Sequence, residues 1–150
     1  MKNLPPPRNA LMRHADYISG DTEKDTVLDS DSVTFLQEKT IPQLVQHVGK
    51  VEIAIIYSPL MRAVLATNVL RSVLIRQSYT VKTYEEHVLR EQSTIEMAGH
   101  AYNNLRDLYE IPQDTFTIFI THDPIIERSL GRNINYCAVV GHNFEIPGHK

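Results

Sequence analysis

The sequence predicts an α/β protein: a three-layer α/β/α sandwich on a largely parallel central sheet, with an edge strand near the C-terminus. Three observations predict it. Apolar, β-branched runs at 51–57 and 115–121 have the near-continuous composition of strands covered on both faces. Segments with helical apolar spacing lie between the strands, and such alternation specifies parallel pairing through crossovers. Two strand exits run directly into Ser58-Pro59 and Asp123-Pro124, dipeptides suited to starting helices.

A proline-stiffened lead-in over 1–8 precedes a first strand at 9–13. Residues 15–31 lack apolar periodicity and carry Asp16, Asp21, Glu23, Asp25, Asp29 and Asp31, which reads as a long acidic loop. Solvation alone accounts for such a loop; if it overhangs a site, it disfavours highly anionic substrates. Val33, Leu36, Ile41, Leu44, Val45 and Val48 then recur at roughly helical spacing and end at Gly49. Pro42 inside that pattern predicts a kink or two shorter helices. After the strand at 51–57, Ser58 as N-cap and Pro59 at the first helical position open a helix. Its buried stripe is Leu60, Ala63, Val64, Thr67, Leu70, Val73 and Leu74.

A short strand at 79–84 leads into a polar stretch, 85–93, without a clear period. A helix over 94–109 uses Ile95, Ala98, Tyr102, Leu105 and Leu108. A strand at 115–121 follows, then a short helix from Asp123-Pro124 through Leu130, stopped by Gly131. The last strand, 135–140, is placed at an edge before a Pro/Gly tail at 143–150. No repeat or linker interrupts the 150 residues, so a single domain over 1–150 is expected.

A hydrophobic fraction of 42% is that of an ordinary globular chain. The net charge of -3 with no basic run argues against a nucleic-acid partner. The single Cys137, in an apolar run, excludes an internal disulfide framework, reads as a core residue and fits a reducing compartment. Prolines at 5–7 break any signal core, and no apolar stretch approaches bilayer length. The expected location is the cytoplasm, with no membrane partner. His47, His87, His100 and His149 lack metal-ligand spacing, and no Gly-rich nucleotide loop is present; neither metal nor cofactor is expected.

Chemistry concentrates at three strand ends. The strand at 9–13 delivers Arg13-His14, the strand at 51–57 delivers Ser58 and Arg62, and the strand at 115–121 delivers His122. In an open α/β sheet the carboxyl ends of the strands edge one crevice. A phosphoryl group carries nearly two negative charges and three acceptor oxygens, which the planar fork of arginine matches. Ser58 and Arg62 are four residues apart and would share a face of the first helical turn. A helix N-terminus there adds free N–H groups. His122 could supply another donor, and a neutral His14 could attack phosphorus to form a phosphohistidine. Tyr17 and Tyr57 could line the crevice or pack in the core or rim. Arg90, Arg106, Arg128 and Arg132 read as surface charges, and His142 as a surface turn residue.

Leu11-Met12-Arg13-His14-Ala15 resembles the Arg-His-Gly signature of the histidine phosphatase (phosphoglycerate mutase-like) superfamily. Ser58-Pro59-Leu60-Met61-Arg62-Ala63, followed by Thr67, is similar to its Ser-Pro-x-x-Arg-Ala-x-x-Thr segment. Ile120-Thr121-His122-Asp123-Pro124 is similar to its late strand-His-turn-helix element. Order and context agree over about residues 9–140. The resemblance implies that His14 is the phosphorylated nucleophile and that Arg13, Arg62 and His122 form the phosphate pocket, with Ser58 beside them. It places the leaving-group acid in a Leu-x-Glu context, which Leu89-Arg90-Glu91 fits best, with Glu86 and Glu85 in reserve.

Ala15 in place of glycine, and the lack of long covering insertions, resemble the short bacterial phosphohistidine phosphatases. The implied activity is metal-independent hydrolysis of a phosphohistidine, another phosphorylated protein or a small phosphomonoester. The alternatives are a phosphoglycerate-mutase-like metabolite enzyme and a non-catalytic phosphate- or phosphopeptide-binding domain.

Overall fold

The computed structural model describes residues 4–150; Met1–Asn3, the start of the expected lead-in, lie outside the described residues. From the N-terminus, β1 (Asn9–Arg13) leads to a small hairpin of β2 (Tyr17–Ile18) and β3 (Val27–Leu28), with a 3-10 turn, Glu23–Asp25, at its tip. Next come α1 (Ser30–Phe35), a π-helical turn (Leu36–Thr40), α2 (Ile41–Val48), β4 (Ile53–Tyr57) and α3 (Met61–Arg76). The second half holds β5 (Val81–Glu85), a 3-10 turn (His87–Leu89), α4 (Gly99–Leu108) and β6 (Phe116–Thr121). The chain ends through α5 (Asp123–Leu130), β7 (Val139–Gly141) and β8 (Glu145–Ile146).

The central sheet has the strand order β5-β4-β6-β1-β7-β8. The first four are mutually parallel, and β7 and β8 add antiparallel at one edge. Period-two alternation sorts the strand side chains into two layers. Ala10, Met12, Ile53, Ile55, Ile118 and Ile120 face α2 and α3, through Leu44, Ala63, Ala66 and Leu70. Leu11, Ile56 and Phe119 face α4 and α5, through Tyr102, Leu105, Ile125 and Ile126. This is the three-layer sandwich that the strand composition predicts.

Several boundaries differ from the sequence expectation for identifiable reasons. Around Pro42 the chain stays helical from residue 30 to 48 and absorbs the missing donor as a π-turn: the Ile41 N–H bonds the Leu36 carbonyl, five residues back. The helix expected over 94–109 is shorter, Gly99–Leu108, because tertiary bonds claim the preceding backbone. The Met97 N–H donates to Ser129 Oγ at 2.7 Å, and the Ile95 carbonyl accepts from Arg128. The tail over 143–150 supplies the edge strand β8, and Gly141 and Phe144 close the turn into it.

Arg106 corrects its reading as a surface charge. It is buried, and its guanidinium donates to the carbonyls of Arg8, Pro112 and Gln113 and to Asn9 Oδ1. It thereby ties the start of β1 to the loop before β6. His142 does lie exposed in a turn, its Nδ1 donating to the Pro5 carbonyl. No helix among the described residues is long and apolar enough to cross a membrane.

Candidate active site

Strand order decides what can meet. β4, β6 and β1 are immediate neighbours and parallel, so Ser58, His122 and His14 leave the same sheet edge side by side. β6 holds both flanks: the Ser58 N–H bonds the Ile120 carbonyl at 3.0 Å, and the His14 N–H bonds the Thr121 carbonyl at 3.4 Å. From the other side, the Cys137 N–H reaches the carbonyls of Arg13 and His14. Cys137 itself is buried, adopts φ 67°, and has its thiol pushed up to about 11 by burial. It is a structural residue and contributes no thiolate.

His14 is 3% exposed, with its ring centroid 4.9 Å from that of His122. Nδ1 lies 2.8 Å from the Ala15 carbonyl, which can only accept, so Nδ1 carries the proton and Nε2 keeps its lone pair. Burial lowers its pKa to about 3, assisted by the charges of Arg62 and Arg13. His122 is 1% exposed, and burial lowers its pKa to about 2, with His14, Arg62 and Arg13 as further causes. Both imidazoles are therefore neutral at physiological pH.

The start of α3 corrects a sequence expectation. Ser58 is not its N-cap: the helix begins at Met61, with extended Leu60 in the cap position. Ser58 and Arg62 therefore share no helical turn. Ser58 is buried and directs its hydroxyl to His122 Nε2 at 2.6 Å, while also accepting the Leu60 N–H at 3.3 Å. That contact orients the imidazole and leaves His122 Nδ1 buried without a protein partner. At α5, His122 is the N-cap residue and Asp123 the first helical residue, one step earlier than the Asp-Pro pattern suggests. Freed from capping, Asp123 turns its carboxylate to Arg13 Nε at 2.6 Å.

Arg13 is further held by the Ile134 carbonyl at 3.0 Å and by stacking, its Cζ 3.8 Å from the centroid of Tyr136. Arg62 is 8% exposed and lies 4.7 Å from the Tyr17 ring centroid, while Tyr17 also meets His14 edge-on. Its Nη2 bonds Glu91 Oε2 at 2.7 Å, and its Nη1 is 3.9 Å from Glu23 Oε1. Its Nε is buried with no partner.

The three glutamates separate by geometry. Glu86 is buried in a structural role, accepting from the Val88 N–H and the Tyr109 hydroxyl, which binds it at 2.6 Å. Glu85 is exposed beside His87. Glu91 alone of the three reaches an arginine of the cluster. The bond from Thr121 Oγ1 to the Leu89 carbonyl, 2.6 Å, moors its segment to the end of β6.

Arg13, His14, Arg62, His122, Ser58 and Glu91 thus converge, and Tyr17 lines the same space, whereas Tyr57 packs on the core. Sequence reasoning gave no site role to Asp123, Tyr136 or Glu23. Asp123 read as a helix start, Tyr136 as part of a strand and Glu23 as one loop acid among six; only tertiary contact separates them. Among the described residues, no group of three or more His, Cys, Asp or Glu side chains is placed to hold a metal ion.

No protein-family model and no curated protein matches the sequence. Solved structures do match in fold. The protein histidine phosphatase SixA complexed with tungstate aligns with a TM-score of 0.67 at 13% identity, over 93% of this chain and 96% of that one. The putative phosphohistidine phosphatase SixA from Agrobacterium tumefaciens aligns at 0.62 and 9% identity, over 92% and 96%. A mycobacterial glucosyl-3-phosphoglycerate phosphatase complexed with VO3 aligns at 0.51 and 12% identity, over 87% and 88%. The chain has the fold of these histidine phosphatases.

Proposed function

We propose that this chain is a metal-independent phosphatase working through a phosphohistidine at His14. The observation that carries the reading is the state of His14: buried, uncharged and fixed at Nδ1, within the field of Arg62 and Arg13. A protonated imidazole has no lone pair to give, so holding the pKa near 3 keeps the nucleophile available.

The phosphoryl oxygens lie against Arg13, Arg62 and His122 Nδ1; Arg62 Nε and His122 Nδ1 have no protein partner to lose. His14 Nε2 attacks phosphorus in line and the bond from phosphorus to the leaving group breaks, P–N in a phosphohistidine and P–O in a phosphomonoester. Glu91, protonated once the phosphoryl group has displaced it from Arg62, gives its proton to the departing nitrogen or oxygen. Water then attacks the phosphohistidine, and the Glu91 carboxylate takes a proton from it. The P–N bond breaks and inorganic phosphate leaves, restoring both groups. Developing charge on the equatorial oxygens is met by guanidinium groups already in place, with little reorganisation needed. The substrate is a phosphorylated protein side chain, phosphohistidine foremost, or a small phosphomonoester. The SixA fold neighbours support the first reading.

The test is to incubate the protein with nitrophenyl phosphate in the presence of chelator and to trap acid-labile phosphate on the chain. Turnover with labelling that disappears in His14→Ala is expected. Turnover abolished by chelator would sink the metal-free mechanism, and tight phosphate binding with no turnover on any phosphorylated probe would make the chain a binding module.

A further inference from the structure

The two arginines of the site do not await a phosphate as free cations. Asp123 sits on Arg13, Glu91 on Arg62, and Glu23 approaches Arg62 from the acidic hairpin. Two positive charges are thus surrounded by three carboxylates. In the proposed mechanism Glu91 serves the leaving group, and Asp123 holds Arg13 in place. Glu23 has neither task.

Glu23 is nevertheless placed with care. The turn that carries it is closed by Asp25, whose Oδ2 accepts from the Thr22 N–H and hydroxyl at 3.2 and 3.0 Å and whose N–H donates to the Thr22 carbonyl at 3.0 Å. At Gly20 the backbone runs so close to Asp25 that a Cβ would lie 2.2 Å from that residue's Cβ. So folded, the loop directs Glu23 across to the first turn of α3. One carboxylate oxygen accepts the Met61 N–H, and the other lies 3.9 Å from Arg62 Nη1. Among the described residues, no other acid of the 16–31 stretch pairs with an arginine of the site.

We propose that Glu23 is the specificity-determining residue of the site. It selects phosphoryl compounds whose leaving group is neutral or cationic and rejects those whose leaving group carries a second anion. The inference rests on the phosphatase reading. A carboxylate fixed beside the phosphate-binding guanidinium repels any further negative charge brought in with the phosphoryl group and attracts a positive one. It also takes the helix N-terminus that a second substrate anion would otherwise use. This suits a phosphorylated nitrogen base or a phosphorylated side chain with basic neighbours, and disfavours a phosphorylated carboxylic acid.

Three aryl phosphates test it: nitrophenyl phosphate, an analogue bearing a trimethylammonium group, and one bearing a carboxylate. The wild-type protein is expected to rank kcat/KM as cationic, neutral, anionic. At about 10 Å and an effective dielectric constant near 20, one unit charge changes the rate by roughly three- to tenfold after screening. Glu23→Gln should therefore cut the cationic-to-anionic ratio by about tenfold, and Glu23→Lys should invert it; added salt should narrow the wild-type ratio. A ratio unmoved in both variants, while all three probes turn over, overturns the proposal. If no probe turns over, the phosphatase reading falls separately. Calorimetry with tungstate then decides on Glu23, for which tighter binding in Glu23→Gln is expected and unchanged binding refutes the role.

Discussion

Acidification should destabilise this fold well before its carboxylates titrate, because two neutral imidazoles are buried side by side. At neutral pH, His14 and His122 are uncharged in both the folded and the unfolded chain. As pH falls through 6.5, the unfolded chain takes up a proton at each, while the folded chain refuses until about pH 3 and about pH 2 respectively. Stability is therefore complete above the unfolded pKa and is lost on the way down. One proton of difference is worth about 1.4 kcal/mol per pH unit, so by about pH 5 each histidine removes about 2 kcal/mol. Together they remove about 4 kcal/mol, a large part of the 5–15 kcal/mol typical of a domain. The groups facing the pair are Arg13, Arg62, Tyr17, Tyr136 and the Ser58 hydroxyl, none of which carries a negative charge to balance the incoming one. Asp123, whose pKa burial raises, gains slightly in the opposite sense. Urea unfolding followed by circular dichroism at about pH 7 and about pH 5 measures the difference. His14→Asn and His122→Asn should each retain only about half of the wild-type loss. A wild-type loss under about 1 kcal/mol would refute the reasoning.

Two further outcomes are expected. Arg106→Ala should lower stability by about 1.5–3 kcal/mol, since it removes the charged donor that bonds the Pro112 and Gln113 carbonyls and Asn9 Oδ1. The remaining folded protein should keep its kcat; a change under about 1 kcal/mol in urea unfolding would return Arg106 to the surface. Glu91→Gln should slow hydrolysis of an alkyl phosphate about a hundredfold and that of phosphohistidine far less, because imidazole is the better leaving group. Equal slowing of both substrates in steady-state assays would remove Glu91 from the acid role.

What was legible in the sequence was whatever depends on local order. The strand exits at Arg13, Tyr57 and Thr121 follow from apolar runs, and three parallel neighbours bring them to one edge. Arg13, His14, Arg62 and His122 could be placed on that basis. What depends on side-chain partners was not legible. Ser58-Pro59 reads as a cap plus a first helical proline, yet the hydroxyl is engaged by His122, 64 residues away, and the helix waits for Met61. Arg106 carries no mark that distinguishes a buried staple from a solvated charge; its acceptors are carbonyls a few residues ahead together with the Arg8 carbonyl and Asn9 Oδ1 at the far end of the chain. Glu23 is set apart from Asp21 and Asp25 by one methylene of reach and by the direction that the folded loop gives it.

The carboxylates around the arginines balance the charge of the cluster within the protein itself. Unpaired, Arg13 and Arg62 would repel each other across two imidazoles that cannot screen them, and the cluster would strain the sheet edge that holds it. Pairing each with a carboxylate on the rim relieves that strain and keeps both guanidinium groups in position before substrate arrives. On the proposed mechanism the pairing also weakens the attraction for free phosphate, since an incoming dianion must compete with Glu91 and Glu23 for Arg62. On that mechanism, a site arranged in this way gives up tight ground-state binding of phosphate and keeps its strongest interactions for the moment when charge spreads over the oxygens in transfer.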